Sequence, residues 1–160
     1  VIVIDGLSKS HAMTGWRLGY SLWPSSLIAA ATRLAINCHS CVNAPTQFAG
    51  IEALTGSQSP VDDMCLAFDE RRKVIVEELN NIPGFSCIEP GGAFYAFPNI
   101  TETGISSLEL QDKLLDEAGV SAISGTSFGA LGEGYLRSSY ANSRENIILA
   151  MERIRECLAK

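Results

Sequence analysis

The chain has 160 residues, 46% of them hydrophobic and 19% charged, a globular balance and not that of a disordered tract. Its formal charge of −6 speaks against a general nucleic-acid or anionic-membrane surface, and its apolar runs are too short to span a bilayer. Five cysteines, an odd number, with no signal peptide in view predict reduced thiols and a cytoplasmic setting, not a disulfide framework.

In chain order, Val1-Ile2-Val3-Ile4 is a run of branched apolar residues. Such a run suits a strand buried on both faces, as in a parallel sheet flanked by helices. A chain that opens inside a core strand, without an initiator methionine, reads as a fragment of a longer protein. Gly19 to Trp23 is a short second strand closed by Pro24, and Ser25 or Ser26 caps a helix to about Ile36. After a break over Asn37 to Pro45, Thr46 to Leu54 forms a helix ended by Gly56. Ser59-Pro60 starts a long helix to about Asn80, with Met64, Phe68, Ile75 and Leu79 on one face. Phe85 to Ile88 and Ala93 to Phe97 are strands close enough to pair antiparallel. Ser106 and Glu109 form a capping box for a helix carrying Leu110, Leu114 and Ala118. Val120 to Ile123 and Tyr135 to Tyr140 are strands on either side of a loop with four glycines, Gly125 to Gly134. Asn142 with Glu145 then caps a last helix, in which Ile147, Met151, Ile154 and Leu158 recur at helical spacing.

The chemistry gathers after the first strand. Lysine is rarely buried unless it is paired or used, and stability does not explain Lys9 beside a turn containing Gly6, Gly15 and Gly19. An amine becomes a nucleophile when desolvation or neighbouring positive charge lowers its pKa, and Arg17 is near enough to supply such charge or to hold an anion. A lysine that forms an imine with a carbonyl cofactor, near an arginine that grips the cofactor's phosphate, uses both. Arg137 is the second arginine of interest, on a strand among apolar and aromatic neighbours. It needs an anionic partner: either a carboxylate ligand held by its planar fork or a structural ion pair with a nearby glutamate. Cys38-His39-Ser40-Cys41 lacks a second pair of ligands, so it reads as ordinary thiols with no metal. His11 and His39 are lone histidines, read as packing or loop residues.

Ser8-Lys9-x-x-Ala12-Met13-Thr14-Gly15-Trp16-Arg17-x-Gly19-Tyr20 resembles the cofactor-lysine signature of the class I and II aminotransferases, the aspartate aminotransferase family of pyridoxal phosphate enzymes. Arg137-Ser138-Ser139-Tyr140-Ala141 resembles that family's ending before its final helix, and Gly91-Gly92-Ala93-Phe94-Tyr95 a segment of its small domain. The resemblance implies an α/β fold: residues 1–58 ending a large parallel-sheet cofactor domain, and residues 59–160 forming a small C-terminal domain reached through the long helix. It implies that Lys9 carries pyridoxal 5'-phosphate as a Schiff base, that Arg17 binds the cofactor phosphate, and that Arg137 binds the α-carboxylate of an amino acid. Many relatives have a phosphate-binding serine three residues before the lysine; Gly6 stands there, and Ser8 is the hydroxyl left for cofactor binding. By the same resemblance the Asn43 to Gln47 segment lies in a region that borders the active site, while from its residues it reads as a helix start packed near the cofactor domain; Phe94 and Tyr95 read as core.

The expected activity is transfer of an amino group between an L-amino acid and a 2-oxo acid by a cytoplasmic homodimer, with no nucleic acid or membrane as partner. The group that pairs with the cofactor ring nitrogen is not identifiable here, so this stretch by itself is expected to be inactive. Two alternatives remain open: a pyridoxal phosphate-dependent carbon–sulfur β-lyase or cyclopropane-forming synthase of the same fold, and a non-catalytic interaction domain derived from it.

Overall fold

The computed structural model describes residues 1–159, which form two compact units, Val1–Met64 and a second beginning at Cys65. In the first unit, β1 (Val3–Gly6) leads directly into a single helical turn, α1 (Leu7–Ser10), then a 3-10 turn (Thr14–Trp16) and β2 (Gly19–Leu22). The two strands pair antiparallel, Val3 opposite Leu22 and Gly6 opposite Gly19. Two helices follow, α2 (Ser25–His39) and α3 (Ala44–Thr55).

Within this unit the opening strand is largely uncovered. Val3 and Ile4 are 46% and 78% exposed, and the neighbour of β1 is antiparallel. A twelve-residue connection holding only short turns cannot make the helical crossover that a parallel neighbour requires. It folds back on itself instead, and the unit provides no layer over the apolar side chains of β1. Its own interior is small: Leu7, Met13, Thr46 and Gly50 are the buried positions. Gly50 lets α3 come close, because a methyl group there would meet the Leu18 and Leu7 side chains.

The long helix α4 (Ser59–Asn80) contains the boundary, and in the second unit it is followed by β3 (Tyr95–Ala96), α5 (Ser107–Ala118), β4 (Ile123–Ser124), β5 (Leu136–Ser139) and α6 (Arg144–Leu158). The sheet order is β3-β5-β4 and both pairings are antiparallel, with Tyr95 opposite Ser139 and Ile123 opposite Arg137. Alternation along β5 puts Leu136 and Ser138 on the buried face and Arg137 and Ser139 on the other. Ile75 and Leu79 of α4, Leu110 and Leu114 of α5, and Ile147, Met151 and Ile154 of α6 form one core with Ala96 and Leu136 of the sheet. Helices thus cover one face of this small sheet, and the other face carries Arg137.

The strand expected over Phe85 to Ile88 is reduced to a single bridge between Ser86 and Asn99, because Pro90 and the Gly91-Gly92 pair interrupt pairing just beyond it. The strands are otherwise shorter than expected, and the one expected over Val120 to Ile123 is found at Ile123–Ser124. The capping box on α5 is present as expected, with the Ser106 side chain accepting from the Glu109 backbone N–H and the Glu109 carboxylate accepting from that of Ser106. On α6 the cap is Ser143, whose hydroxyl accepts from Asn146 N–H at 3.2 Å, and not Asn142. Asn142 instead accepts from the Asn146 side-chain amide and the Ser143 N–H.

Candidate functional site

Gly6 is extended as α1 begins, and Leu7 is buried at 2% exposure, which fixes the orientation of that single turn. Two residues on, at a helical rotation of about 200°, Lys9 falls on the side opposite Leu7 and is exposed. Ser8, between them, is half-buried. The Met13 and His11 backbone N–H groups both donate to the Leu7 carbonyl, closing the chain tightly behind the lysine. The His11 ring shares a 2.9 Å hydrogen bond through Nδ1 with the Ser10 hydroxyl, and its Nε2 is buried without a partner among the described residues.

Arg17 ends the 3-10 turn in the left-handed conformation, with φ 55° and ψ 46°. That conformation is uncommon for a residue with a side chain and stores strain of order 1–3 kcal/mol, a cost found where a side chain must be aimed. Its guanidinium donates through Nη1 to the Thr14 carbonyl at 3.0 Å. Arg17 lines an open depression of about 750 Å³ together with Trp16, His39, Cys41, Asn43 and Thr46. Thr46 is the buried wall, held at the start of α3 where the Asn43 side chain accepts its backbone N–H at 3.0 Å. The ion pairs among the described residues use Arg72, Lys73, Lys113 and Arg155, so Lys9 and Arg17 have no carboxylate partner there. An unneutralised guanidinium at the edge of an open cleft, with hydroxyl and amide neighbours, is suited to an anion such as a phosphate. Lys9 itself does not line that depression.

Arg137 belongs to the second unit. It too is without an acidic partner among the described residues, which removes the structural ion pair weighed for it from the sequence. Its neighbours are aromatic: the guanidinium carbon lies 4.3 Å from the centroid of the Tyr95 ring and 4.7 Å from that of Phe128. Tyr95 shares the Arg137 face because it stands opposite Ser139 on β3, and Phe128 arrives on the 3-10 turn Gly125–Phe128. Sequence reasoning passed over both rings, assigning Tyr95 to the core and Phe128 to a loop. The available signal was register: position 95 shares a face with 137 only once β3 is paired to β5. No cluster of three or more potential metal ligands occurs among the described residues. Nor is any described helix long and apolar enough to cross a membrane.

Comparison with known proteins places these features in a wider group. A sequence model of aminotransferase classes I and II matches residues 1–154. The chain is 47% identical over 159 residues to an aspartate aminotransferase of Pyrococcus horikoshii, covering 98% of this chain and 41% of that protein. It is 43% identical over 158 residues to an aspartate aminotransferase of Geobacillus stearothermophilus, covering 96% of this chain and 40% of that one. Among solved structures, an aromatic aminotransferase from Pyrococcus horikoshii superposes with a TM-score of 0.93 at 38% identity, over 99% of this chain and 43% of its own. The chain therefore spans about two fifths of the length of the relatives it matches.

Proposed function

The chain belongs to the class I and II aminotransferase family, and from that premise we propose that the complete protein moves an amino group between an L-amino acid and a 2-oxo acid, using pyridoxal 5'-phosphate. The observation that carries this reading is local. The stretch Ser8 to Leu18 folds as a turn between paired strands, and its amine and guanidinium both lack a carboxylate partner among the described residues. A free amine suits an aldehyde and a free guanidinium suits a phosphate, so the residues present fit the cofactor. In this reading residues 1–58 end the cofactor-binding domain and residues 59–160 form the small domain.

Lys9 would hold the cofactor covalently through Nζ, with Arg17 pairing with its phosphate and Ser8 adding a hydroxyl. When bound, pyridoxal phosphate supplies an electron sink that allows a proton to leave the carbon bearing the substrate's amino group. Once released from the cofactor, the Lys9 Nζ would be the group to accept that proton and later return it. Arg137 would grip the substrate carboxylate through two parallel N–H bonds. A homodimer as the working form and a cytoplasmic setting rest on the family resemblance and on the cysteine usage.

General acid–base transfer contributes about a hundred- to ten-thousandfold. Lys9→Ala in the complete protein therefore lowers turnover by at least about a hundredfold, measured as 2-oxo acid formed. Borohydride reduction of the complete protein followed by peptide mass mapping leaves a pyridoxyl group on Lys9. A pyridoxyl group on any other lysine overturns the assignment. Release of ammonia with pyruvate in place of transamination would move the protein to the lyases.

A further inference from the structure

We propose that Tyr95 and Phe128 are positioning residues for Arg137: their rings hold the guanidinium by its flat surfaces and leave its N–H rim as the only part free to receive a carboxylate. This rests on the reading of Arg137 as the carboxylate anchor.

A free arginine side chain samples many rotamers, and ordering it on binding costs part of the affinity gained. A guanidinium stacks on aromatic faces and is drawn to their negative quadrupole, so two rings within 4.3 and 4.7 Å confine it before any ligand arrives. Both rings are themselves held. Tyr95 sits in a paired strand and its ring lies 4.5 Å from that of Phe94. Phe128 meets Phe97 edge-on at 6.2 Å, and Phe97 in turn stacks on Tyr135 at 5.4 Å.

Phe128 lies outside the core cluster, and its ring meets Arg137 on one side and Phe97 on the other. The charge of Arg137 is not neutralised by any described carboxylate, so its rim keeps its hydrogen-bonding capacity. A guanidinium gripped through its π surfaces accepts a partner in its own plane, the geometry in which a carboxylate binds through two parallel bonds.

The test uses the complete protein with its cofactor, and 15N-labelled arginine. Ring currents place the Arg137 Nε–H proton of the unliganded wild type upfield of solvent-exposed arginines, the signal being identified by its loss in Arg137→Lys. An Arg137 Nε–H at the ordinary position overturns the proposal without any further variant. Phe128→Leu and Tyr95→Leu move that resonance downfield and raise KM for the amino-acid substrate roughly three- to tenfold each, with kcat changed less than KM. Tyr95→Phe, which keeps the ring, restores both readouts. If Arg137→Ala leaves KM unchanged, the carboxylate role of Arg137 fails and the positioning role fails with it. If Arg137→Ala raises KM while both leucine variants leave KM and the resonance untouched, the carboxylate role stands and the ring proposal alone is overturned.

Discussion

Glu133 shows how one side chain can close a gap that backbone alone leaves open. Its carboxylate accepts from the Ser107 N–H at 2.9 Å and from the Ser107 hydroxyl at 3.2 Å, at the first turn of α5. That hydroxyl also accepts from the Gly134 N–H at 2.8 Å, so the buried serine ties α5 to the chain leading into β5. The Ser107 N–H donor, followed by the Gly134 N–H, holds the Glu133 carboxyl below the usual range. A carboxyl lowered in the folded state binds fewer protons there than in the unfolded chain, whose value is about 4.3. Its contribution is therefore complete above that value and disappears as the pH falls through the folded one. The capping Glu109 is lowered in the same sense, chiefly by the Ser106 hydroxyl. Urea midpoints taken from pH 7 to pH 3 should fall on the acid side, and Glu133→Gln should flatten part of that fall while lowering the midpoint at neutral pH. An unchanged acid limb in the variant would remove Glu133 from this role.

At the scale of elements, the segment between β4 and β5 is governed by two glycines. A Cβ on Gly125 would land on the Gly132 carbonyl, and one on Gly132 would land on the Gly125 carbonyl. The backbones touch here, and no flexible side-chain tip can move aside. Gly125→Ala should therefore cost about 2 kcal/mol or more, read as a lower urea midpoint. It should also disturb Phe128, which the same short turn carries. How much was readable from the sequence follows the same division between local and distant causes. The Ser106–Glu109 box was legible because its partners sit three positions apart. So was α4, whose Ser59-Pro60 start and Ile75–Leu79 spacing need no knowledge of the rest. The opening run was legible as a strand but its antiparallel neighbour was not, because a run such as Val1 to Ile4 records how much cover the side chains would use, and not what the adjoining turn supplies. The company Arg137 keeps was hidden because it depends on strand register and on a turn nine residues upstream in sequence.

Across these 160 residues the interior is unevenly shared. Every residue of the core cluster lies at position 75 or later, whereas Leu7 and Met13 are the buried apolar side chains named before residue 64. Apolar burial stabilises by roughly 25 cal/mol per Å², so resistance to opening should follow that distribution. Hydrogen exchange on the 160-residue polypeptide should find slow amides in the later parts of α4, in α5 and in α6, and fast ones in β1, α2 and α3. Equal protection in both units would contradict this. The first unit instead shows Ile4, Leu22, Leu34, Phe48 and Leu54 to solvent, each more than half exposed. A protease mixed with this polypeptide would meet little resistance among its first sixty residues and then stall in the helix that begins at Ser59. Lys9 and Arg17, the two side chains proposed to hold the cofactor, would thus be the earliest casualties of digesting this polypeptide, while Arg137, proposed to hold the substrate, survives in the resistant remnant.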